Sequence, residues 1–239
     1  MQNTAWYTPL YNVLNILAPL NNLEKLSDSS IVLNNRLLKM TPNHIRSPVV
    51  NLKDRLEKYP SPLEDEFISL DTFSLFVDEL KKQNSLVRVN HIGFCYKVTS
   101  IKIERQKIVK QIEKTPLHLY EEPSNDAAAW LFIGDVKNWQ DPLIELLPVE
   151  NTNDSWVNLW LPHIHIDIDT TEDAQSISDI SNKFFKNSIT PFNVTVIEGV
   201  IYTVRLRLGI ASGINIDLDL ATNKRDVEYA RTKLWKRVA

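Results

Sequence analysis

The stretch Trp160–Thr170, "WLPHIHIDIDT", alternates almost without fault. Strand side chains alternate with period two, so Ile164, Ile166 and Ile168 share one face. His163, His165, Asp167 and Asp169 share the other. A strand with one apolar face and one face of histidines and aspartates covers a core on one side. On the other it presents groups that bind metals and move protons.

Working outward, the period of two holds from residue 86 onwards. "SLVRVNHIGFCYKV" reads as a strand, and "SIKIERQKIVKQIEKT" as a helix with Ile101, Ile108 and Ile112 on one side. Three short strands are expected in "LHLYEE", "AAWLFIGD" and "DPLIELLPV". After "WLPHIHIDIDT" the pattern recurs. "TEDAQSISDISNKFFKNS" reads as a helix, with Thr171 as its N-cap and lysines late. "FNVTVIEG", "VIYTVRLRLGI" and "GINIDLDLA" then read as strands, and "KRDVEYARTKLWKRV" as a closing helix. The order β-α-β-β-β thus occurs twice. His163 lies 72 residues after His91 (163 − 91), and Asp217 lies 72 after Glu145 (217 − 145). Loop lengths vary freely, so the order of elements is the stronger sign of a repeat.

Residues 1–85 differ. "LYNVLNILAPLNNLEKL" and "LDTFSLFVDELKKQ" have helical spacing, with Leu70, Phe73, Phe76, Val77 and Leu80 at threes and fours, and "YPSPLEDE" breaks the region between them. This region is expected to be helical and to cover other elements. The expected organisation is a helical segment over 1–85, a first module over 86–155, and a second module with its C-terminal helix over 156–239.

The 239 residues are 43% hydrophobic and 24% charged, with a formal net charge of −3, as in an ordinary globular protein. No block of like charge makes an electrostatic case for nucleic acid. The first 22 residues lack a basic start and a long apolar run, which argues against a leader or a membrane span. The single cysteine, Cys95, can form no intramolecular disulfide. A cytoplasmic location is therefore expected. The sequons at Asn153 and Asn193 are set aside for the same reason. Five glycines leave no room for a Gly-rich phosphate loop, and no GxSxG, HExxH or CxxC pattern occurs.

The motifs "NHIGF", "IELLP", "PHIHI" and "GINIDLD" resemble those of the vicinal oxygen chelate superfamily, which includes glyoxalase I and the extradiol dioxygenases. Within it they look most similar to the YecM-like metal-binding proteins. The resemblance spans roughly residues 86–223. It implies an α+β fold in which two β-α-β-β-β modules pair into a cupped mixed sheet. It also implies a divalent metal, Fe, Mn, Ni or Zn, held by His91, Glu145, His163 and Asp217. The family usually has Glu where this chain has Asp217, whose side chain is one methylene shorter, so it would reach the metal only through water.

The chemistry of the residues stands beside the resemblance. Divalent first-row metals take neutral imidazole and carboxylate ligands converging from rigid elements. Two histidines and one carboxylate leave positions open for substrate. A carboxylate in the apolar run "PLIELLP" must be exposed, paired or metal-bound, because burying it alone is costly. His91 or His163 alone would more often be an ordinary strand residue. His44, among prolines, reads as a loop residue, and His118 as sheet surface or cup wall. His165 could be an acid/base, a donor behind the ligands, or part of a solvated face. Arg205 and Arg207 alternate with apolar residues and would suit an anionic substrate or pair with nearby aspartates.

The function expected is a metal-dependent isomerase, lyase or dioxygenase acting on a small, anionic, oxygen-bearing molecule. The alternatives are a non-catalytic module binding a small molecule in the same cup, and an interaction role for residues 1–85. Neither the sequence nor the resemblance fixes an oligomeric state.

Overall fold

The computed structural model describes residues 8–21, 37, 40–42, 68–83, 86–122, 129–135, 142–150, 163–169, 174–185, 189–196, 199–210, 214–222 and 236–238. From 189 to 217 it describes the backbone alone. The elements in chain order are α1 (Thr8–Leu17), a 3-10 turn (Ala18–Asn21), α2 (Leu70–Gln83), β1 (Leu86–Val98), α3 (Ile101–Ile112), β2 (His118–Glu122), β3 (Trp130–Gly134), β4 (Leu143–Glu150), β5 (His163–Asp169), α4 (Ala174–Phe184), β6 (Ile189–Val196), β7 (Gly199–Ile210), β8 (Ile214–Thr222) and β9 (Lys236–Arg237). The chain is α+β.

Among the described residues the nine strands form one sheet, in the order β6-β7-β8-β5-β1-β4-β3-β2-β9. β1 runs parallel to β4 and β5 parallel to β8, each pair joined through a crossover that contains a helix. β1 and β5 lie side by side and antiparallel at the centre. The stretch "HIHIDID" is thus a central strand. Its isoleucines are fully buried and join one apolar cluster with Val87, Val89, Ile92 and Phe94 of β1.

The helices cover that apolar face. Ile108 and Ile112 of α3, Ile180 of α4, Phe73 and Phe76 of α2 and Val13 and Leu14 of α1 belong to the same cluster. Phe76 meets Phe185 edge-on at 4.8 Å, which ties α2 to the end of α4. Local chemistry sets the helix ends. Ser69 Oγ accepts from the Thr72 amide at 3.0 Å and caps α2, whose first turn holds Asp71 and whose last holds Lys81 and Lys82. At α3 the cap comes from a distance: the Ile101 amide donates to the Glu150 carboxylate at the end of β4.

The described parts of 1–85 pack on the face opposite the histidines, where α1 and α2 cover the sheet and build the core. One expectation changes. The expected closing helix falls largely outside the described residues, and its end is strand: Lys236 and Arg237 pair with Glu121 and Tyr120 of β2. β2 would otherwise be an edge with unpaired backbone groups, and β9 covers it. Thr171 and His44 lie outside the described residues.

Candidate metal centre

β1 has one residue too many for β5. Val89 faces Ile166 and His91 faces His165, leaving Asn90 as a β-bulge. The extra residue shifts the phase of the strand. Before it, Val87 and Val89 face the core; after it, Ile92 and Phe94 do. Arg88, Asn90 and His91 can then all serve the polar side, which strict alternation forbids.

Across that side the strands align in rows. Glu145 of β4 is level with Gly93 of β1, and Gly93 is level with His163 of β5. Gly93 has no side chain, so Glu145 and His163 meet above it and His91 joins from the neighbouring row. His163 Nε2 is 2.7 Å from Glu145 Oε2. His91 Nε2 is 3.3 Å from the same oxygen and 3.1 Å from His163 Nε2. All three residues are buried.

The two contacts to Glu145 are poor as hydrogen bonds. Glu145 Oε2 is wholly buried and, despite its neighbours, has no hydrogen-bond partner of acceptable geometry. Burial lowers the pKa of His91 to about 4, leaving its ring neutral at pH 7. Burial also opposes the charge on Glu145, but the adjacent imidazoles outweigh that and hold its carboxyl well below the usual range. An anionic oxygen and imidazole nitrogens crowded around one point are the donor set of a divalent transition metal. The spacing fits as well. Two ligand atoms each about 2.1 Å from an ion and about 90° apart stand about 3.0 Å from each other. The three separations, 2.7, 3.1 and 3.3 Å, bracket that value.

The buried histidine gives a pH prediction for the metal-free protein. The unfolded chain protonates His91 near 6.5 and the folded chain near 4. Stability from this group is complete above about pH 6.5 and is lost as pH falls through 4, on the order of 3 kcal/mol in all. Glu145 and Asp167, both held low, extend the loss below about pH 4.5. Urea unfolding at pH 7.5, 6 and 5 should show the midpoint falling at each step. A flat profile would contradict a neutral buried His91.

A second group adjoins the first. His165 is half-buried and stacks on the His91 ring at 4.7 Å and 23°. Its Nε2 is 3.4 Å from Asp167 Oδ1. Asp167 Oδ2 lies 2.6 Å from the Arg88 guanidinium and accepts from Asn90 Nδ2 at 2.8 Å. Burial disfavours the charge of Asp167, but His165, Arg88 and Asn90 together hold its carboxyl well below the ordinary range. Apolar groups flank the cluster on the β4 side: Phe132 meets His91 edge-on at 5.9 Å, and Cys95 is buried with Leu147 and Val149.

The remaining expected residues are placed by register. Asp217 is level with His163, and Arg207 with Asp217. Asp219 is level with His165, and Arg205 with Asp219. The side chains of Asp217, Arg205 and Arg207 lie outside the described residues. In the first module the carboxylate Glu145 is level with the residue two after His91. The residue two after His163 is His165, so the matching place in the second module is Asp219. By register, then, the offset between the carboxylates is 74 (219 − 145), where spacing alone suggests 72. His118 is on the exposed side, with Arg237 Nη2 2.8 Å from its Nδ1.

Arg88 and Asn90 are the polar partners that sequence reasoning did not single out for the site; the alternation of β5 already puts Asp167 on the polar face. A signal existed: the apolar alternation slips from odd to even positions between Val89 and Ile92.

No family model matches the chain, and no curated protein matches it. Solved structures resemble it over a little more than half its length. A hypothetical protein from Bacillus halodurans C-125 is 17% identical over 58% of this chain and 96% of its own, with a TM-score of 0.36. A glyoxalase/bleomycin resistance protein/dioxygenase superfamily member from Vibrio splendidus 12B01 is 10% identical over 56% and 98%, with a TM-score of 0.35. The methylmalonyl-CoA epimerase of Streptomyces coelicolor is 19% identical over 58% and 100%, with a TM-score of 0.34. Likenesses this shallow carry no conclusion about activity. Among the described residues no helix is long and apolar enough to cross a membrane.

Proposed function

We propose that the chain is a divalent-metal-dependent enzyme of the vicinal oxygen chelate type, an isomerase, lyase or dioxygenase acting on a small anionic substrate. The observation that carries this reading is the convergence of His91, Glu145 and His163 on one buried point, with Glu145 Oε2 lacking any hydrogen bond. The module division at 86–155 and 156–239 belongs to the same proposal, since each module supplies one histidine. So does the cupped shape of the polar face. The similarity of the motifs to the YecM-like group suggests no activity of its own.

His91, Glu145 and His163 would hold the ion, with Asp219 or Asp217 as the fourth ligand. A bound divalent ion supplies Lewis acidity toward two neighbouring oxygens of the substrate. The remaining chemistry falls to the chain. His165, stacked on His91 with Asp167 behind it, is the candidate to take or give a proton at a ring nitrogen. Arg205 and Arg207, on the same sheet face by register, would bind a carboxylate or phosphate of the substrate. The buried walls formed by Phe132, Cys95 and Leu147 would keep water from the reacting atoms.

Elemental analysis of the purified protein tests the reading, with His91→Ala and His163→Ala alongside. Near-stoichiometric metal in the wild type and loss in both variants is expected. Equal metal in all three, or none after supplementation with Fe, Mn, Ni or Zn salts, would reject it.

A further inference from the structure

His91 can offer Nε2 to an ion only as the tautomer protonated at Nδ1. We propose that Asn90, anchored by Asp167 and Arg88, is a positioning residue that fixes His91 in that tautomer. The purpose of this device rests on the metal reading above, whereas its geometry does not.

The direction of each bond follows from what each group can do. The Asp167 carboxylate can only accept. Its Oδ2 is 2.6 Å from the Arg88 guanidinium and 2.8 Å from the side-chain amide of Asn90. The Asn90 end that faces Asp167 must therefore be the NH2 group. Its other end, Oδ1, is 2.9 Å from His91 Nδ1. An amide oxygen can only accept, so Nδ1 carries the hydrogen and donates. A neutral ring protonated at Nδ1 has its lone pair on Nε2. That nitrogen is the atom 3.3 Å from Glu145 Oε2 and 3.1 Å from His163 Nε2.

The bulge makes this possible. In an unbroken strand Asn90 and His91 would point to opposite faces, and an adjacent pair could not share a bond on the polar side. The extra residue brings Arg88, Asn90 and His91 to one side of the sheet, and Asp167 of β5 closes the chain. Partners of this kind, which orient a ligand's ring from behind, set the tautomer and raise metal affinity.

The test begins with metal-free wild-type protein. Ring nitrogen NMR of His91 at neutral pH should show Nδ1 protonated and Nε2 bare; a proton on Nε2 would overturn the proposal with no variant needed. Asn90→Ala should give a mixture of tautomers and weaken Zn2+ binding by roughly 10- to 100-fold in calorimetric titration. A buried asparagine with a merely structural role predicts that Asn90→Ala keeps the wild-type tautomer, and that result would also overturn the proposal. If the wild type shows the Nδ1–H tautomer but binds no Zn2+, the metal reading fails while the role of Asn90 stands.

Discussion

Glu145→Gln is expected to abolish metal-dependent stabilisation while leaving the fold intact. The replacement keeps shape and volume and removes the charge. Glu145 is the anionic member of the converging group, and its Oε2 is the atom that both imidazoles approach. With metal present at about a thousand times its dissociation constant, a single-site ion stabilises a folded protein by about 4 kcal/mol. For a chain of this size that corresponds to a rise in Tm of roughly 8–16 °C. The wild type should show a rise of this order on adding Zn2+ or Mn2+ to chelator-treated protein, and Glu145→Gln should show none. Without metal the variant should stay folded at neutral pH but melt somewhat lower than the wild type, because the imidazoles that favour the Glu145 carboxylate lose their anionic partner. An equal rise in both proteins would remove Glu145 from the metal site.

The fold was legible where a pattern is local and repeats. The alternation of Ile164, Ile166 and Ile168 with His163, His165 and Asp167 required a strand with one buried face, and β5 is that strand, with the isoleucines in the core. Glu145 stood out because a carboxylate within an apolar run has few acceptable surroundings. The convergence of His91, Glu145 and His163 follows from the order of elements, because β1 and β5 meet at the centre of the sheet and β4 lies beside β1.

Single-residue departures from regularity were less legible. The bulge at Asn90 changes which side chains share a face, and its only trace is the slip in phase between Val89 and Ile92. Reading β1 as an unbroken strand leaves Arg88 and Asn90 out of the site. Arg205 or Arg207 is then the candidate to pair with Asp167, and in the fold Arg88 pairs with it. The register of β8 on β5 is equally hidden. Counting along the sequence matches Asp217 to Glu145, but the paired strands match Asp219, because loops absorb the two-residue difference. Residues 1–85 could be read as helical from spacing, yet spacing does not say which face of the sheet a helix covers. Their described parts join the apolar face because Phe73, Phe76, Val13 and Leu14 need that burial.

Gly93→Ala should disable the centre without touching a ligand. Gly93 lies between Glu145 and His163 in one row of the sheet, and the His163 ring rests over its Cα. A methyl group there would fall within the van der Waals envelope of three ring atoms of His163. The backbone of His163 cannot retreat easily, being paired to β1 on one side and to β8 on the other. The ring must therefore swing away, and Nε2 leaves the point where Glu145 Oε2 and His91 Nε2 meet. Overpacking of this kind costs about 1–3 kcal/mol of stability. A ligand displaced by about 1 Å no longer satisfies a metal whose bonds are near 2.1 Å. The expected outcome is a folded protein, less stable in urea, with metal content near zero after dialysis. His163→Ala removes the ring that the methyl group strikes. In that background Gly93→Ala should cost almost no stability, so the two substitutions should be strongly non-additive. Additive costs, or a Gly93→Ala protein that retains wild-type metal, would mean that the His163 ring does not lie over residue 93, and the route by which His163 reaches the other two ligands would have to be different.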